Sequence, residues 1–420
     1  MSVAPCYFID IGSTMIKGVR VNGESLAANA FHKRKADRAI PEQVLSVLAE
    51  LGCREPVNDA DIRICSSANG GLSVGVLSLT RKASGAVALR MLESVGANVR
   101  FHYVWREVEG SPGAPHVDVL FLVGGIDVFS SRTTREGLYA LSLSSFSYDR
   151  LVYAGHAATV DTARSLWPDV ETVPNPLVGG LVPADRSLGL YARQTYLDDI
   201  ESKKDLQPLR NVSRVPIEPT PSIVSKAFAR LQSRIPSPAI MLDIGGATTD
   251  LHFTKEALDE SVLTAGELAT FPAIARYVFT AYGVHDSKAT TIAALLADSL
   301  GVDLLAALFG GEHRTIYQQL LDGQATEHLL FCASIFLALR ACMDGKEEAP
   351  RIKLGAMASL MITGGAAKCL GVDDVTTTLS VALGWTPRAS IFRDANYRWW
   401  ILGLMESSKI PESTWGSLDG

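Results

Sequence analysis

The chain lacks clustered basic residues and closely spaced cysteines, and each absence excludes a class of protein. Its 39 Lys and Arg are spread along 420 residues with a net charge of −6. A nucleic-acid-binding surface would instead concentrate basic residues, so we expect no nucleic-acid partner. The six cysteines form no C-x-x-C pair, and several lie in apolar runs. We therefore expect buried, reduced thiols rather than a disulfide or metal framework.

Long hydrophobic runs are also missing. The most apolar stretch, residues 329–339, is interrupted by Ser334 and followed by Arg340. It is too short to span a bilayer and predicts a core helix. The N-terminus has no signal-peptide pattern, because an apolar strand and its acidic residue, Asp10, come at once. We therefore expect a cytoplasmic protein with no membrane partner, long enough for two or more domains.

One short motif is present in each half of the chain. Asp10 follows the apolar residues 7–9, Asp243 follows the apolar residues 239–242, and a glycine-rich turn comes after each acid. Each motif predicts a buried strand that ends in an aspartate. Glycine lets the backbone approach phosphate oxygens, to which the N–H groups and hydroxyls of the turn donate. An acid facing phosphate implies a divalent cation between them, so the pair predicts a two-lobed nucleotide site.

The first loop spans residues 10–17. We expect Asp10 to hold Mg²⁺ through water and Lys17 to neutralise phosphate charge. The residues expected to surround the phosphate oxygens are Gly12, Ser13 and Thr14. Taken alone, this loop is more easily explained as an ordinary hairpin with an aspartate beside its turn, since short glycine motifs arise by chance.

The second loop, residues 243–250, is more specific. Its two glycines, Gly245 and Gly246, its two threonines and its second acid are hard to explain by folding alone. We expect Asp243 to help hold the metal and to position or deprotonate the attacking water. Thr248 and Thr249 would donate to the β- or γ-phosphate. Asp250 could instead pair with a backbone group or a lysine, and a purely structural turn is the less favoured alternative.

A third glycine pair, Gly364 and Gly365, follows the predicted strand 358–362. Paired glycines would let an adenosine lie flat against the backbone. Alone, the pair is equally typical of a plain strand-to-helix turn. Its value lies in the order of the loops along the chain, which is phosphate, phosphate and then adenosine.

The organisation of the chain predicts an α/β protein. Strands and helices alternate, and the continuous apolar run 117–123 predicts an interior parallel strand. The proline-interrupted stretch 205–222 is interpreted as the crossing between halves. We therefore predict lobes at 1–222 and 223–420, with 265–345 mostly helical. The closing helix, 396–405, is a candidate to pack back on the first lobe.

The order of the three loops resembles the actin, Hsp70 and sugar kinase superfamily. Five segments also occur in the order found in the methylaspartate (glutamate) mutase accessory protein family of MutL type. They are 66–72, 119–127, 152–155, 218–222 and 243–250. The chain departs from the family pattern at Val128 and Phe129, where further glycines would be expected.

The resemblance implies a two-lobed actin-like ATPase fold of duplicated RNase H-like domains, with ATP and Mg²⁺ as cofactors. It further implies a protein client, an adenosylcobalamin-dependent mutase, from which ATP hydrolysis would drive release of damaged cofactor. Two alternatives stay open at this point. One is a small-molecule kinase of the same superfamily, and the other is a non-enzymatic actin-like scaffold.

Overall fold

The structure is a computed structural model that describes residues 5–23, 25–53, 61–67, 72–108, 113–202, 206–269, 271–345, 349–386 and 388–405. Within these ranges no single helix has the length and apolar character needed to cross a membrane. By length and composition alone, one sharply bent pair, Lys288–Ala297 with Gly301–Leu321, could do so. Among the cysteines, Cys65, Cys332 and Cys342 are buried thiols and Cys369 is exposed.

The strands and helices alternate along the chain, as expected for an α/β protein. The strands are β1 (Cys6–Ile11), β2 (Met15–Asn22), β3 (Ser25–Lys33), β4 (Asp61–Ser66), β5 (Ser73–Ser78), β6 (Asn98–Val104), β7 (Val117–Gly124), β8 (Tyr148–Gly155), β9 (Glu171–Thr172), β10 (Glu218–Pro219), β11 (Ala239–Ile244), β12 (Thr249–Thr254), β13 (Ile274–Phe279), β14 (Ser359–Gly364) and β15 (Ser390–Arg393). The helices are α1 (Ile40–Glu50), α2 (Ala86–Ser94), α3 (Arg132–Leu141), α4 (Val160–Leu166), α5 (Ser187–Ser202), α6 (Thr220–Gln232), α7 (Ala265–Ala269), α8 (Lys288–Ala297), α9 (Gly301–Phe309), α10 (His313–Leu321), α11 (Glu327–Asp344), α12 (Gly365–Cys369), α13 (Val372–Leu383) and α14 (Trp399–Leu404).

The first sheet has the strand order β10-β4-β1-β2-β3. Strand β1 lies at its centre, antiparallel to β2 and parallel to β4. Helix α1 begins with a proline in its first turn, where a missing N–H costs nothing, and buries Val44, Val47 and Leu48. Strands β1 and β2 form a hairpin around the first glycine turn, and Asp10 lies near the end of the central strand.

The second sheet repeats this plan with the order β13-β12-β11-β14-β15. Its central strand β11 is again antiparallel to the next strand in sequence and parallel to the fourth. The same strand order in two sheets confirms the predicted duplication of an α/β lobe. The stretch 265–345 is mostly helical, as predicted. It also contains one strand that was not predicted, Ile274–Phe279, which pairs with β12 at the edge of the sheet.

A third sheet, all parallel, lies between β4 and β10 in the sequence and has the order β6-β5-β7-β8-β9. Strand β7 is an interior strand and is buried along nearly its whole length, as its continuous apolar run predicted. Alternation of strands and helices predicts parallel pairing. It does not indicate that β5–β9 form a sheet separate from the first one.

One hydrophobic cluster joins the two duplicated sheets. It contains Phe8 and Val19 from the first sheet, Met241 and Met361 from the second, and residues of α6 and α14. Trp399 and Trp400 of α14 are buried in it. The last helix thus shares a core with strands of both halves, whereas the division into lobes at residue 222 stays a prediction. Helix α11 is buried over most of its length, as a core helix should be.

Candidate active site

The three predicted glycine loops meet at one cleft of about 860 Å³ between the two duplicated sheets. The β1–β2 turn and the β11–β12 turn come from equivalent places in the two sheets, and the third loop follows β14. All the predicted site residues except Thr249 line this cleft. They are Asp10, Gly12, Ser13, Thr14, Lys17, Asp243, Gly245, Gly246, Thr248, Gly364 and Gly365.

The two predicted phosphate loops approach each other closely across the cleft. Each loop is closed by a backbone hydrogen bond, from Gly12 N to Met15 O at 2.8 Å and from Gly245 N to Thr248 O at 2.9 Å. A methyl group added at Gly246 would lie 3.0 Å from Thr14 Cγ2. That position therefore has little room for a side chain.

Gly364 is fixed by conformation as well as by space. Its φ is +76°, and an added methyl would lie 2.5 Å from Asp243 Oδ1. A side chain here would strain the backbone and displace the carboxylate. The predicted adenosine loop therefore packs directly against the acid of the second phosphate loop.

Asp10 is almost fully buried, at 1% exposure. Its Oδ1 accepts a hydrogen bond from Thr220 Oγ1 at 2.7 Å and a weak one from Cys65 Sγ at 3.6 Å. Its Oδ2 accepts from Lys17 Nζ at 3.2 Å. Both oxygens are therefore engaged by protein donors. This arrangement suits an acid that holds a hydrated metal ion through water better than one that binds it directly.

Among the acidic residues of the cleft, Asp243 has the pKa that is shifted furthest from its ordinary value. Burial, then the charges of Asp250 and Asp10, raise its pKa to about 7, and the Lys17 ammonium partly opposes this shift. The residue is only partly exposed, at the wall of the cleft. A carboxylate whose pKa lies near neutrality is suited to accept a proton in catalysis or to receive a cation.

The two threonines of the second loop face different surroundings. Thr248 lines the cleft, and its hydroxyl donates to Asp250 Oδ2 at 3.4 Å. Thr249 is fully buried, and its hydroxyl donates to the Tyr282 carbonyl at 2.9 Å. The structure therefore does not bring Thr249 to the phosphate side of the cleft.

Asp250 pairs with an arginine rather than with the backbone group or lysine considered from the sequence. Arg276 Nε donates to Asp250 Oδ1 at 2.8 Å, and both side chains are buried. The same guanidinium donates from Nη1 to the Glu93 carbonyl at 2.6 Å. Arg276 thus connects the second phosphate loop to the end of α2, the helix between β5 and β6 of the third sheet.

The carboxylates of Asp10 and Asp243 are suitable ligands for the Mg²⁺ that the sequence implies. In the described part of the chain there is no group of three or more His, Cys, Asp or Glu side chains able to hold a metal. Mg²⁺ is usually bound by one or two carboxylates together with water and substrate phosphates, rather than by an all-protein cage. Asp10 and Asp243 supply such a carboxylate pair beside the predicted phosphate loops.

Sequence reasoning missed several residues of the cleft. Thr220 lies in segment 218–222, which resembles the family. The sequence did not predict that its hydroxyl contacts Asp10. Phe31 of β3 and Lys368 of α12 meet across the cleft, with the ammonium 5.0 Å from the ring centroid. Tyr397, between β15 and α14, contacts Lys17. Nothing in the local sequence signals these distant pairings.

Asp127 and His156 lie in the loops that follow strands β7 and β8 of the third sheet, and their hydrogen bonds are made with the segments that follow β7, β8 and β9. Asp127 Oδ1 accepts from Asn175 Nδ2 at 2.7 Å and from Ala157 N at 3.0 Å. Both ring nitrogens of His156 are engaged, by the Phe129 carbonyl at 2.9 Å and by Ala158 N at 3.1 Å. Of the family segment 66–72, residues 68–71 lie outside the described residues.

Comparison with known proteins decides the family. A family model described as MutL protein matches residues 6–319. The chain belongs to the MutL protein family. Its two-lobed α/β architecture is the actin-like ATPase fold, as the duplicated strand order indicates. Protein MutL of Clostridium tetanomorphum is 25% identical over 263 residues, which are 58% of this chain and 56% of that relative. The match therefore spans little more than half of the relative's length.

Solved structures resemble the chain more distantly. The activator of the 2-hydroxyisocaproyl-CoA dehydratase from Clostridium difficile, with bound ADPNP, has a TM-score of 0.34 at 11% identity, covering 96% of this chain and 92% of that one. A ROK family glucokinase from Streptomyces griseus has a TM-score of 0.32 at 11% identity, covering 95% and 97%. TM-scores this low do not establish a shared function with either protein.

Proposed function

We propose that this MutL-family protein is an ATPase that acts as an accessory factor for another enzyme. The observation that carries the proposal is the meeting of three glycine loops and two carboxylates in one cleft. The first two loops offer backbone N–H groups and hydroxyls to phosphates, and the third offers a flat glycine surface to adenosine. Membership of the MutL family supports the accessory role.

Within this proposal, ATP binds with its phosphates between the loops that begin at Asp10 and Asp243. Asp10, through water, and Asp243 would hold Mg²⁺, which supplies positive charge against the phosphates when bound. Lys17 and Thr248 contribute donors from opposite sides of the cleft. Gly364 and Gly365 lie against the adenosine. Backbone and side-chain donors that are fixed before the reaction stabilise the charge that develops during phosphoryl transfer.

Asp243 has the catalytic role in this scheme. Its carboxylate orients the attacking water and accepts its proton. In the ligand-free protein, burial raises the pKa of this group to about 7. Because the loops of this site come from two lobes, opening and closing of the lobes would alter the site and, in turn, be controlled by the bound nucleotide.

We further propose that the client is an adenosylcobalamin-dependent mutase, and that nucleotide-driven lobe motion releases its damaged cofactor. The support is the family membership together with the segments that resemble mutase accessory proteins. A cytoplasmic location is part of the same proposal. The alternative with the same cleft is a small-molecule kinase, and the tests below separate the two.

We predict that ATP binds to the purified protein in a Mg²⁺-dependent manner. Calorimetric titration with ATP, in the presence of Mg²⁺ and then of EDTA, measures this directly. Binding should weaken at least about tenfold without the metal, because the phosphate charge is then opposed mainly by Lys17. Folded protein with no affinity for ATP or ADP would contradict the whole proposal.

We also predict that an inactivated mutase stimulates ATP turnover and binds differently to the ATP and ADP states. The coupling must be reciprocal, so a client that prefers one nucleotide state changes nucleotide affinity by the same factor. Pull-downs of the mutase in ATP and in ADP, with recovery of mutase activity as a second measurement, test this. Equal binding in both states without restored activity would favour the kinase alternative.

A further inference from the structure

Lys17 is held by two partners that come from different halves of the fold. Its Nζ donates to Asp10 Oδ2 at 3.2 Å within the first sheet. It also donates to the hydroxyl of Tyr397, and it lies 3.6 Å from the centre of that ring. Tyr397 follows β15 of the second sheet, so this contact joins the two lobes beside the first phosphate loop.

The backbone at Tyr397 has an unusual conformation. Its φ is +53°, the one positive value at a non-glycine residue in the described part of the chain. A bulky residue rarely adopts this region, and such conformations persist where the surrounding structure holds them in place. Strain of this kind is often found at functional sites.

The surroundings of Tyr397 do hold it in place. Asp394, which is buried, accepts hydrogen bonds from Arg398 N at 2.6 Å and Trp399 N at 2.9 Å. It also accepts from Thr363 Oγ1 at 3.2 Å, the residue just before the glycines of the third loop. Trp400 Nε1 donates to the Tyr397 carbonyl at 2.9 Å. The segment is therefore fixed to the same loop that is proposed to bind adenosine.

We propose that Tyr397 is a positioning residue that aims the Lys17 ammonium at the phosphates of the bound nucleotide. This inference rests on the proposed function of the cleft. An ammonium group has three N–H donors. Asp10 and Tyr397 occupy two of them, and the geometry of a tetrahedral nitrogen then fixes the direction of the third.

The consequence for the reaction differs from that of a simple binding contact. Lys17 keeps its charge without Tyr397, so attraction of the phosphates is largely retained. What is lost is the fixed direction of a donor, and such orientation matters most as charge develops in the transition state. The effect should therefore appear in kcat rather than in KM for ATP.

The test replaces the hydroxyl while keeping the ring. Tyr397→Phe should lower kcat for ATP hydrolysis about tenfold and leave KM within about threefold, since a hydrogen bond to a charged group is lost. Tyr397→Asn removes the ring but tolerates the positive φ, and it should lose at least as much. Tyr139→Phe, at an exposed position on α3, is the matched control and should leave turnover unchanged.

A second background shows whether Tyr397 acts through Lys17. In a Lys17→Met protein, adding Tyr397→Phe should cause no further loss, because the group to be aimed is gone. A further tenfold loss in that background would mean that Tyr397 acts independently of Lys17 and would overturn the proposal. Unchanged kcat in Tyr397→Phe alone would overturn it too.

The chemical reactivity of Lys17 can be measured in the absence of nucleotide, and it therefore tests the contact with Tyr397 independently of ATP hydrolysis. Acetic anhydride modifies free amines, and peptide mass spectrometry reports the rate at Lys17. Loss of the Tyr397 hydroxyl should speed acetylation of Lys17 severalfold in the ligand-free protein. If wild type hydrolyses no ATP, the proposed function fails, while this rate still tests the contact. Equal acetylation of wild type and Tyr397→Phe would overturn the positioning role.

Discussion

Asp243→Asn should lose most ATP hydrolysis while still binding nucleotide and keeping its fold. A group that orients water and accepts its proton acts chiefly in the transition state, so turnover falls more than affinity. General-base catalysis contributes roughly a hundredfold or more, and we expect a loss of that size in kcat. Steady-state turnover measured beside calorimetric ATP affinity checks both parts. Wild-type turnover in the variant would remove Asp243 from the mechanism.

The pH dependence gives this prediction a second, independent form. Because burial raises the pKa of Asp243 to about 7, the carboxylate needed as a base forms only as the pH passes that value. Wild-type kcat/KM for ATP, which reports the titration of the free enzyme, should rise through this range and then level off. The residual activity of Asp243→Asn should show no such rise. A matched control is Asp161→Asn, whose carboxylate is fully exposed on α4, and it should keep the wild-type profile.

The same pKa makes a prediction about stability. Asp243 has a folded-state pKa above its ordinary value of 3.8, so between these two values the folded protein binds a proton that the unfolded chain releases. Stability is then lost as the pH rises toward about 7. The amide that replaces this carboxyl in Asp243→Asn carries no charge at any pH. The variant should therefore melt at a higher temperature than wild type at about pH 8, with the difference disappearing near pH 4.

Much of the cleft could be predicted from the sequence because its chemistry is local. An apolar run, an acid and a glycine turn are adjacent in sequence, and each pattern specifies a strand end without reference to the rest of the chain. Thr249 shows how far such patterns can be taken. It opens strand β12, in which neighbouring side chains point to opposite faces. Since Asp250 lines the cleft, Thr249 faces the interior.

The remaining features depend on contacts between distant parts of the chain. Tyr397 and Lys17 are 380 positions apart in the sequence, and no local pattern predicts their contact. The third sheet is a similar case. The sequence predicts its strands individually, but the choice of neighbours depends on which connections pack best against the first sheet. Strand β13 was missed because a short edge strand takes its definition from the partner it pairs with.

Arg276→Met should strongly destabilise the folded protein. Arg276 and Asp250 are both buried, and the pair is surrounded by protein on the side of α2. Removing the arginine leaves the Asp250 carboxylate buried without its cationic partner. Breaking a buried pair in this way costs about 3 to 5 kcal/mol, far more than the net contribution of an intact pair. Urea denaturation followed by circular dichroism should show an earlier transition.

Adding Asp250→Asn to the Arg276→Met protein shows whether the stability is lost because a buried carboxylate has no partner or because packing is lost. With the carboxylate gone, the double variant Arg276→Met/Asp250→Asn should recover a large part of the lost stability, because no uncompensated charge remains. Arg132→Met breaks an exposed pair with Glu136 on α3 and should leave the transition unchanged. If Arg276→Met unfolds no earlier than that control, the pair is not the electrostatic link between the second phosphate loop and α2. Equal losses in the single and double variants would instead assign the stability to packing of the arginine stem and to its bond with the Glu93 carbonyl.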